Sequence, residues 1–245
     1  MEPMEIDGDY VEETAFELLQ RLGFGSVRFG TELESLNEIV QLVPGQVYEM
    51  NGDVCSGKTQ ICYSIVSKLL KEDDEANVMW ISSLPFRTDH FMKHAGEENN
   101  ERLLQATVDD YNQLRDFLFK LERDLKGTSV RLIIIDSVSC MMHDTVWTDH
   151  DERHRCQSII IEKLKRLSRY EVAILMTSHI TYWDGAPRPS LGKFWVTSFP
   201  MENRFFVEAL ADGRTRSLST MREDETVDIA KFCIRDGVLA EIDQL

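Results

Sequence analysis

The sequence predicts an α/β protein built on a mostly parallel sheet, extended at one edge by C-terminal antiparallel hairpins. Three observations carry that expectation. Residues 52–59, Gly-Asp-Val-Cys-Ser-Gly-Lys-Thr, match the phosphate-loop pattern G-x4-G-K-[ST] at Gly52, Gly57, Lys58 and Thr59. Two apolar runs, Leu132–Asp136 and Val172–Thr177, read as strands buried on both faces, which is the signature of parallel strands. Asp212-Gly213 and Asp236-Gly237 each separate β-prone runs, a strong hairpin signal.

In chain order, Asp9–Leu22 carries Phe16, Leu19 and Leu22 near one helical face and stops at Gly23 and Gly25. Thr31–Val43 is expected to be a second amphipathic helix, closed by Pro44-Gly45. Val47-Tyr48-Glu49-Met50 is a β-prone run feeding the glycine loop. Gln60–Lys71 then sets Ile61, Cys62, Ile65, Val66, Leu69 and Leu70 on one face of a helix. Asn77–Ile81 reads as a strand, and a polar segment with His90, His94 and the run Glu97–Glu101 follows. Asp110–Leu125 has Tyr111, Leu114, Phe117, Leu118, Leu121 and Leu125 at helical spacing, and a long helix over Asp151–Tyr170 separates the two buried strands. The expected division is an acidic N-terminal helix and linker over residues 1–30 and one core domain over 31–245.

Composition narrows the class. A chain of 245 residues suits one sizeable α/β domain, and 42% hydrophobic residues support a real core. No apolar run reaches membrane-spanning length, and the start lacks the basic-then-apolar order of a signal peptide, so no membrane association is expected. Five scattered cysteines without a C-x-x-C pair read as reduced intracellular thiols. With 27 basic against 43 acidic side chains, the net charge of −16 opposes tight autonomous binding to nucleic acid. Work on nucleic acid would call for a more basic neighbour.

The chemistry concentrates at the glycine loop. A strand feeding such a loop into a helix aims several backbone N–H groups and the positive helix end at one point. Gly52, Asp53, Val54, Cys55, Ser56, Gly57, Lys58 and Thr59 are the expected nucleotide cradle, with the Lys58 ammonium for the outer phosphates and the Thr59 hydroxyl for Mg²⁺. Asp136, a carboxylate ending a buried strand, is the second candidate Mg²⁺ residue, its other reading being a helix-capping Asp. Cys55 fills a variable position of the motif, where helix-end amides can lower a thiol pKa. His90/His94 and His150/His154 have i,i+4 spacing but no completing ligand cluster, so surface histidines are expected.

The ordered segments Thr31-Glu32-Leu33-Glu34-Ser35-Leu36, the phosphate loop with Gln60, Ile134-Ile135-Asp136-Ser137-Val138-Ser139 and Thr177-Ser178-His179-Ile180-Thr181 resemble the ATPase core of the RecA-like recombinases. Within them the chain is most similar to the eukaryotic recombinase paralogues. Pro189-Ser190-Leu191-Gly192-Lys193-Phe194-Trp195 followed by Asn203-Arg204-Phe205 is similar to the D-type paralogue in particular. The resemblance spans residues 30–235. It implies a RecA-like P-loop NTPase core with ATP and Mg²⁺ as cofactors. It also implies a nuclear accessory role in homologous recombination and double-strand-break repair, promoting or stabilising recombinase filaments on single-stranded DNA. The implied partners are a strand-exchange recombinase, a second recombinase paralogue and single-stranded DNA, the last bound weakly by this chain alone.

Three departures qualify the resemblance. The helical domain that precedes the core in active recombinases has no counterpart in residues 1–30. In Ile81-Ser82-Ser83-Leu84-Pro85, Leu84 stands at or near the family's catalytic Glu position, with no carboxylate until Asp89. Loss of a general base costs roughly 10²–10⁴ in rate, so at most a weak DNA-dependent ATPase is expected. Ser178-His179 replaces the family's sensor Asn-Gln pair, leaving His179 as either a γ-phosphate sensor or an ordinary strand-end residue.

The family's DNA-channel loops would fall near Met142–Arg155 and Tyr182–Lys193. In the second, Tyr182, Trp183, Arg188 and Lys193 are candidates for base stacking and backbone contact, though packing on a neighbouring protein explains the same residues. The basic set Arg153, Arg155, Lys163, Lys165, Arg166 and Arg169 reads as a solvated surface. Two further classes stay open. A small-molecule P-loop kinase needs an Arg-rich lid, for which residues 181–200 supply only Arg188 and Lys193. A scaffold with a vestigial nucleotide site is opposed by intact Lys58, Thr59 and Asp136.

Overall fold

The predicted strand before the glycine loop is β1, Val47–Gly52, and every residue in it is buried. The computed structural model describes residues 28–97, 99–183, 186–222 and 225–242. Around β1 lie Asn77–Ser82 (β2), Leu103–Thr107 (β3), Val130–Asp136 (β4), Ala173–Trp183 (β5), Ala186–Pro189 (β6), Arg204–Ala209 (β7), Thr215–Arg222 (β8), Glu225–Arg235 (β9) and Val238–Ala240 (β10). They form a ten-stranded sheet in the order β10-β9-β8-β7-β1-β5-β4-β2-β3, with β6 paired to β5. Pairing is parallel from β3 to β7 and antiparallel from β7 to β10. The expected parallel sheet with a hairpin extension is the observed fold.

The helices are Glu34–Asn37 (α1), Lys58–Glu72 (α2), Thr88–Ala95 (α3), Tyr111–Asp124 (α4), Val138–Met141 (α5), His150–Ser168 (α6) and Lys193–Val196 (α7). Alternate residues of the buried strands face opposite layers, as the period of a strand requires. Leu132, Ile134 and Leu175 pack with Ile61, Ile65 and Phe91 of α2 and α3. Ile133, Ile135, Ile174 and Met176 pack with Leu114, Leu118, Ile160 and Leu164 of α4 and α6. Asp110 and Asp149 cap α4 and α6, their carboxylates accepting from the backbone N–H groups of Gln113 and Glu152.

Three segments differ from expectation. Thr31–Val43 keeps only α1 as helix. The Asn37 side chain accepts from the Thr31 backbone N–H at 2.6 Å, and Phe29 and Leu42 exchange backbone hydrogen bonds as an isolated bridge. These contacts fold the segment back on itself while still burying Leu33, Leu36, Val40 and Leu42. The bridge also sets Phe29 in the core. Within the polar stretch after β2 lie α3 and β3. β3 escapes a pattern search because it is the edge strand and buries only Leu103. β5 runs six residues past Thr177 and turns back as β6, so the second expected DNA loop is largely a β-hairpin. The Phe16/Leu19/Leu22 helix lies outside the described residues.

Of the histidines expected at the surface, His94 is buried. It belongs to a polar cluster that ties the segment before β1 to α2 and α3. Glu32 accepts from Ser67 at 2.9 Å and Lys71 at 2.5 Å, and lies 3.6 Å from His94 Nδ1. Burial pushes the Glu32 carboxyl up, but hydrogen bonds from His94, Lys71 and Ser67 outweigh it and bring the pKa to about 2. A depressed carboxylate contributes stability above its ordinary value of 4.5 and loses it as pH falls toward 2. Glu32→Gln should therefore lower the unfolding free energy at pH 7 by about 1–2 kcal/mol, discounted because the side chain is partly exposed. In urea titrations the gap between variant and wild type should close as pH drops from 4.5 toward 2.

Candidate nucleotide site

β1 delivers the chain to the loop at Gly52, where a Cβ would lie 2.3 Å from the Val207 carbonyl oxygen of β7. No side chain fits there. Cys55 and Gly57 take left-handed backbone, with φ 62° and 109°, and Gly57 caps the N-terminus of α2. The first turn of α2 has no acidic residue, so its positive end is left for an anion. Lys58 is buried and folds back on the loop, donating to the carbonyls of Gly52 at 2.9 Å and Asp53 at 2.7 Å. Burial pulls its pKa below the usual lysine range, with Asp136 opposing. Val54 and Cys55 sit exposed at the tip.

Asp136 meets the loop across the sheet. Its Oδ2 accepts from the Thr59 hydroxyl at 2.8 Å, and its Oδ1 accepts from the Thr177 hydroxyl at 2.5 Å. A carboxylate and a hydroxyl are hard oxygen donors of the kind Mg²⁺ takes, and a buried ammonium lies on the same loop. The donor set fits a nucleotide with Mg²⁺: Lys58 and the loop amides would hold the phosphates, and Thr59 and Asp136 the metal. The helix-capping duty after β4 falls to Ser137, whose hydroxyl accepts from the Cys140 N–H.

The other sequence candidates are distributed around this centre. His179 of β5 pairs in register with Gly52, its backbone N–H donates to the Ser139 hydroxyl at 3.0 Å, and its Nδ1 lies 3.9 Å from Cys140 Sγ. Leu84 is exposed just past β2, and its carbonyl accepts from the Ser82 hydroxyl at 2.6 Å. Asp89, the next carboxylate, is engaged by the Arg87 guanidinium at 3.1 and 3.0 Å. The Tyr182 hydroxyl donates to Asp53 Oδ2 at 2.7 Å, which brings a residue singled out for DNA contact onto the phosphate loop itself. Trp183 continues β5 opposite Ala186, exposed Arg188 pairs with Thr181 on the same hairpin, and exposed Lys193 opens α7. Thr177 and Cys140 were not anticipated. Neither carries a local motif, and each gains its role from a partner brought close by the sheet.

Fold and loop together define a P-loop protein of RecA type. The crystal structure of the RadB recombinase superposes with a TM-score of 0.72 at 15% identity, covering 88% of this chain and 100% of that one. No protein-family model matches the chain. The chain is 39% identical over 252 residues to RAD51-like protein 1 of Caenorhabditis briggsae, spanning 99% of this chain and 100% of that protein. It is 36% identical over 254 residues to RAD51-like protein 1 of Caenorhabditis elegans, with the same shares covered. To DNA repair protein RAD51 homolog 4 of Mus musculus it is 25% identical over 214 residues, 78% of this chain and 64% of that protein. The protein belongs to the RAD51-like protein 1 family, eukaryotic RecA-like recombinase paralogues, and its role is that of a recombination accessory protein.

The close approach at Gly52 gives a direct test of the loop's geometry. Gly52→Ala drives a methyl into a backbone carbonyl that cannot rotate away, so β1 and β7 must separate. The expected loss is about 2–3 kcal/mol of stability, read by urea unfolding. Wild-type stability in that variant would mean that β7 does not press on the loop.

Proposed function

We propose that this protein binds ATP with Mg²⁺ and assists a strand-exchange recombinase, promoting or stabilising its filament on single-stranded DNA in the nucleus together with a second paralogue. The observation that carries the reading is the meeting of Thr59 and Asp136 at 2.8 Å beside the buried Lys58. Asp136 lies 77 residues beyond Thr59 and is brought to the phosphate loop by the sheet. The Lys58 ammonium, which donates to the Gly52 and Asp53 carbonyls, would hold the outer phosphates. Asp136 and Thr59 would be the metal's oxygen donors, and the metal would supply charge neutralisation at the outer phosphates. Family membership favours this reading over a kinase; nucleotide binding separates it from a scaffold.

Each charge-assisted hydrogen bond is worth roughly 1.5–3 kcal/mol, so Lys58→Ala should weaken ATP affinity at least about tenfold. Calorimetry on folded protein is the check, and unchanged affinity sinks the proposal.

Turnover is slow in this reading because Leu84 offers no proton acceptor and Arg87 occupies Asp89. The rate with single-stranded DNA should fall far below the roughly 10 s⁻¹ typical of enzymes. A rate near that value, abolished by Lys58→Ala, would reveal a base elsewhere.

DNA contact is assigned to the β5–β6 hairpin through Tyr182, Trp183 and Arg188, with Lys193 nearby. The −16 net charge makes that contact weak and salt-sensitive until a basic partner is present. The N-terminal face carrying Phe16, Leu19 and Leu22 is a candidate contact for such a partner.

A further inference from the structure

We propose that Cys140 and His179 form a thiol–imidazole pair that makes Cys140 this chain's modification site for small disulfides. The pair is assembled by the sheet: Cys140 rides on α5 directly after β4, and His179 closes in from β5, with 3.9 Å between Sγ and Nδ1. β5 is tied to α5 beside the pair because the His179 backbone N–H donates to the Ser139 hydroxyl at 3.0 Å, and Ser139 lies next to Cys140 in α5. The thiol is open to solvent, so a reagent can reach it.

The other cysteines lack this combination. Cys62 and Cys156 are buried, and burial pushes both thiols up. Cys55 is exposed on the phosphate loop without an imidazole partner, and Cys233 is half-buried with its sulfur directed at the Ala240 and Glu241 carbonyls. The groups facing Cys140 are His179 from β5, Ser137 in its own turn and Ser83 after β2. The His179 ring dominates and, against the opposing effect of partial burial, brings the thiol down to about 7.

The step balances without a further reagent. The imidazole takes the thiol proton, and the thiolate attacks one sulfur of the small disulfide. A Cys140–S–S–R bond forms as the reagent's S–S bond breaks. The departing thiolate takes the proton back from the imidazolium. Cys140 is oxidised to the mixed disulfide and half of the reagent is reduced to thiol. Because His179 is in register with Gly52, the adduct sits beside the phosphate loop.

The ionised fraction sets the rate advantage. At pH 7 a thiol of pKa about 7 is half ionised, against roughly 3% for one near 8.5, while its lower basicity costs about fivefold in nucleophilicity, leaving about threefold net. The experiment treats the reduced full chain with oxidised glutathione at pH 7 and follows each cysteine by peptide mass spectrometry. Cys140 should gain the adduct at least about threefold faster than Cys55 or Cys233, with Cys62 and Cys156 unreacted while the protein is folded. His179→Gln should remove that advantage and move the pH midpoint of Cys140 labelling up from about 7, with folding checked by circular dichroism. If that variant does not fold, the wild-type midpoint decides: near 7 supports the pair, and near 9 overturns it. Equal labelling of Cys140 and Cys55, or an unchanged midpoint in folded His179→Gln, also overturns it. None of these readouts needs nucleotide, so failure of ATP binding leaves the pair intact and failure of the pair leaves ATP binding intact.

Discussion

A carboxylate buried in the central strand constrains the rest of the molecule. Glu49 lies in β1 with a side-chain exposure of 1%, where water cannot stabilise its charge. Burial pushes its carboxyl up, and Arg204, the Trp195 indole N–H and their hydrogen bonds oppose that push. Arg204 Nε lies 3.2 Å from Oε2, and the indole donates to Oε1 at 3.0 Å. Arg204 in turn donates to the carbonyls of Val196 and Phe199, so both groups are hydrogen-bonded as well as paired. Removing one member of such a pair costs about 3–5 kcal/mol because the other is left buried and alone. The pair therefore favours the arrangement with β7 beside β1 and α7 packed beneath them.

That placement carries through to the phosphate loop. β7 beside β1 brings the Val207 carbonyl against Gly52, and β9 beyond it brings Ile234 to 3.1 Å from where a Gly57 Cβ would be. The antiparallel extension is thus a wall for the loop as well as a cover for the sheet edge. On the other side β5 presents Thr177 to Asp136 and His179 to Cys140. The loop's unusual backbone at Cys55 and Gly57 is held between two neighbouring strands, which fits a pre-shaped anion cradle.

What was legible in the sequence was local. The two hairpins followed from Asp-Gly pairs, and Asp236 and Gly237 do take positive φ, 53° and 83°. The buried parallel strands followed from continuous apolar runs, because residues facing two packed layers have no polar alternation. Thr31–Val43 misled because Leu33, Leu36 and Val40 are spaced as in a helix, while the Thr31–Asn37 bond and the Phe29–Leu42 bridge decide the backbone. In the site, the loop and Asp136 stood out through spacing and position. Thr177, Cys140 and the Tyr182–Asp53 contact did not, since each depends on strand register across many residues. The Glu49–Arg204 pair was illegible for the same reason: β1 pairs with a strand that begins 155 residues later.

The charge distribution bears on how such a protein meets DNA. Three of the five Lys and Arg residues of α6 are ion-paired within the fold. Lys163 is buried against Glu122 and the Phe119 ring, Arg166 bridges to Glu162 and Glu122, and Arg155 pairs with Glu152. An ion-paired guanidinium releases few counterions from a phosphate backbone, because its carboxylate partner must be displaced or carried along. Arg188 and Lys193 add positive charge on and just after the hairpin that Tyr182 ties to the phosphate loop. Two such charges are few against a net charge of −16, so a strand recruited there would be oriented more than it is held. In the proposed reading, tight grip on a strand would call for a neighbouring basic protein, which is the division of labour an accessory member of a recombinase family would use.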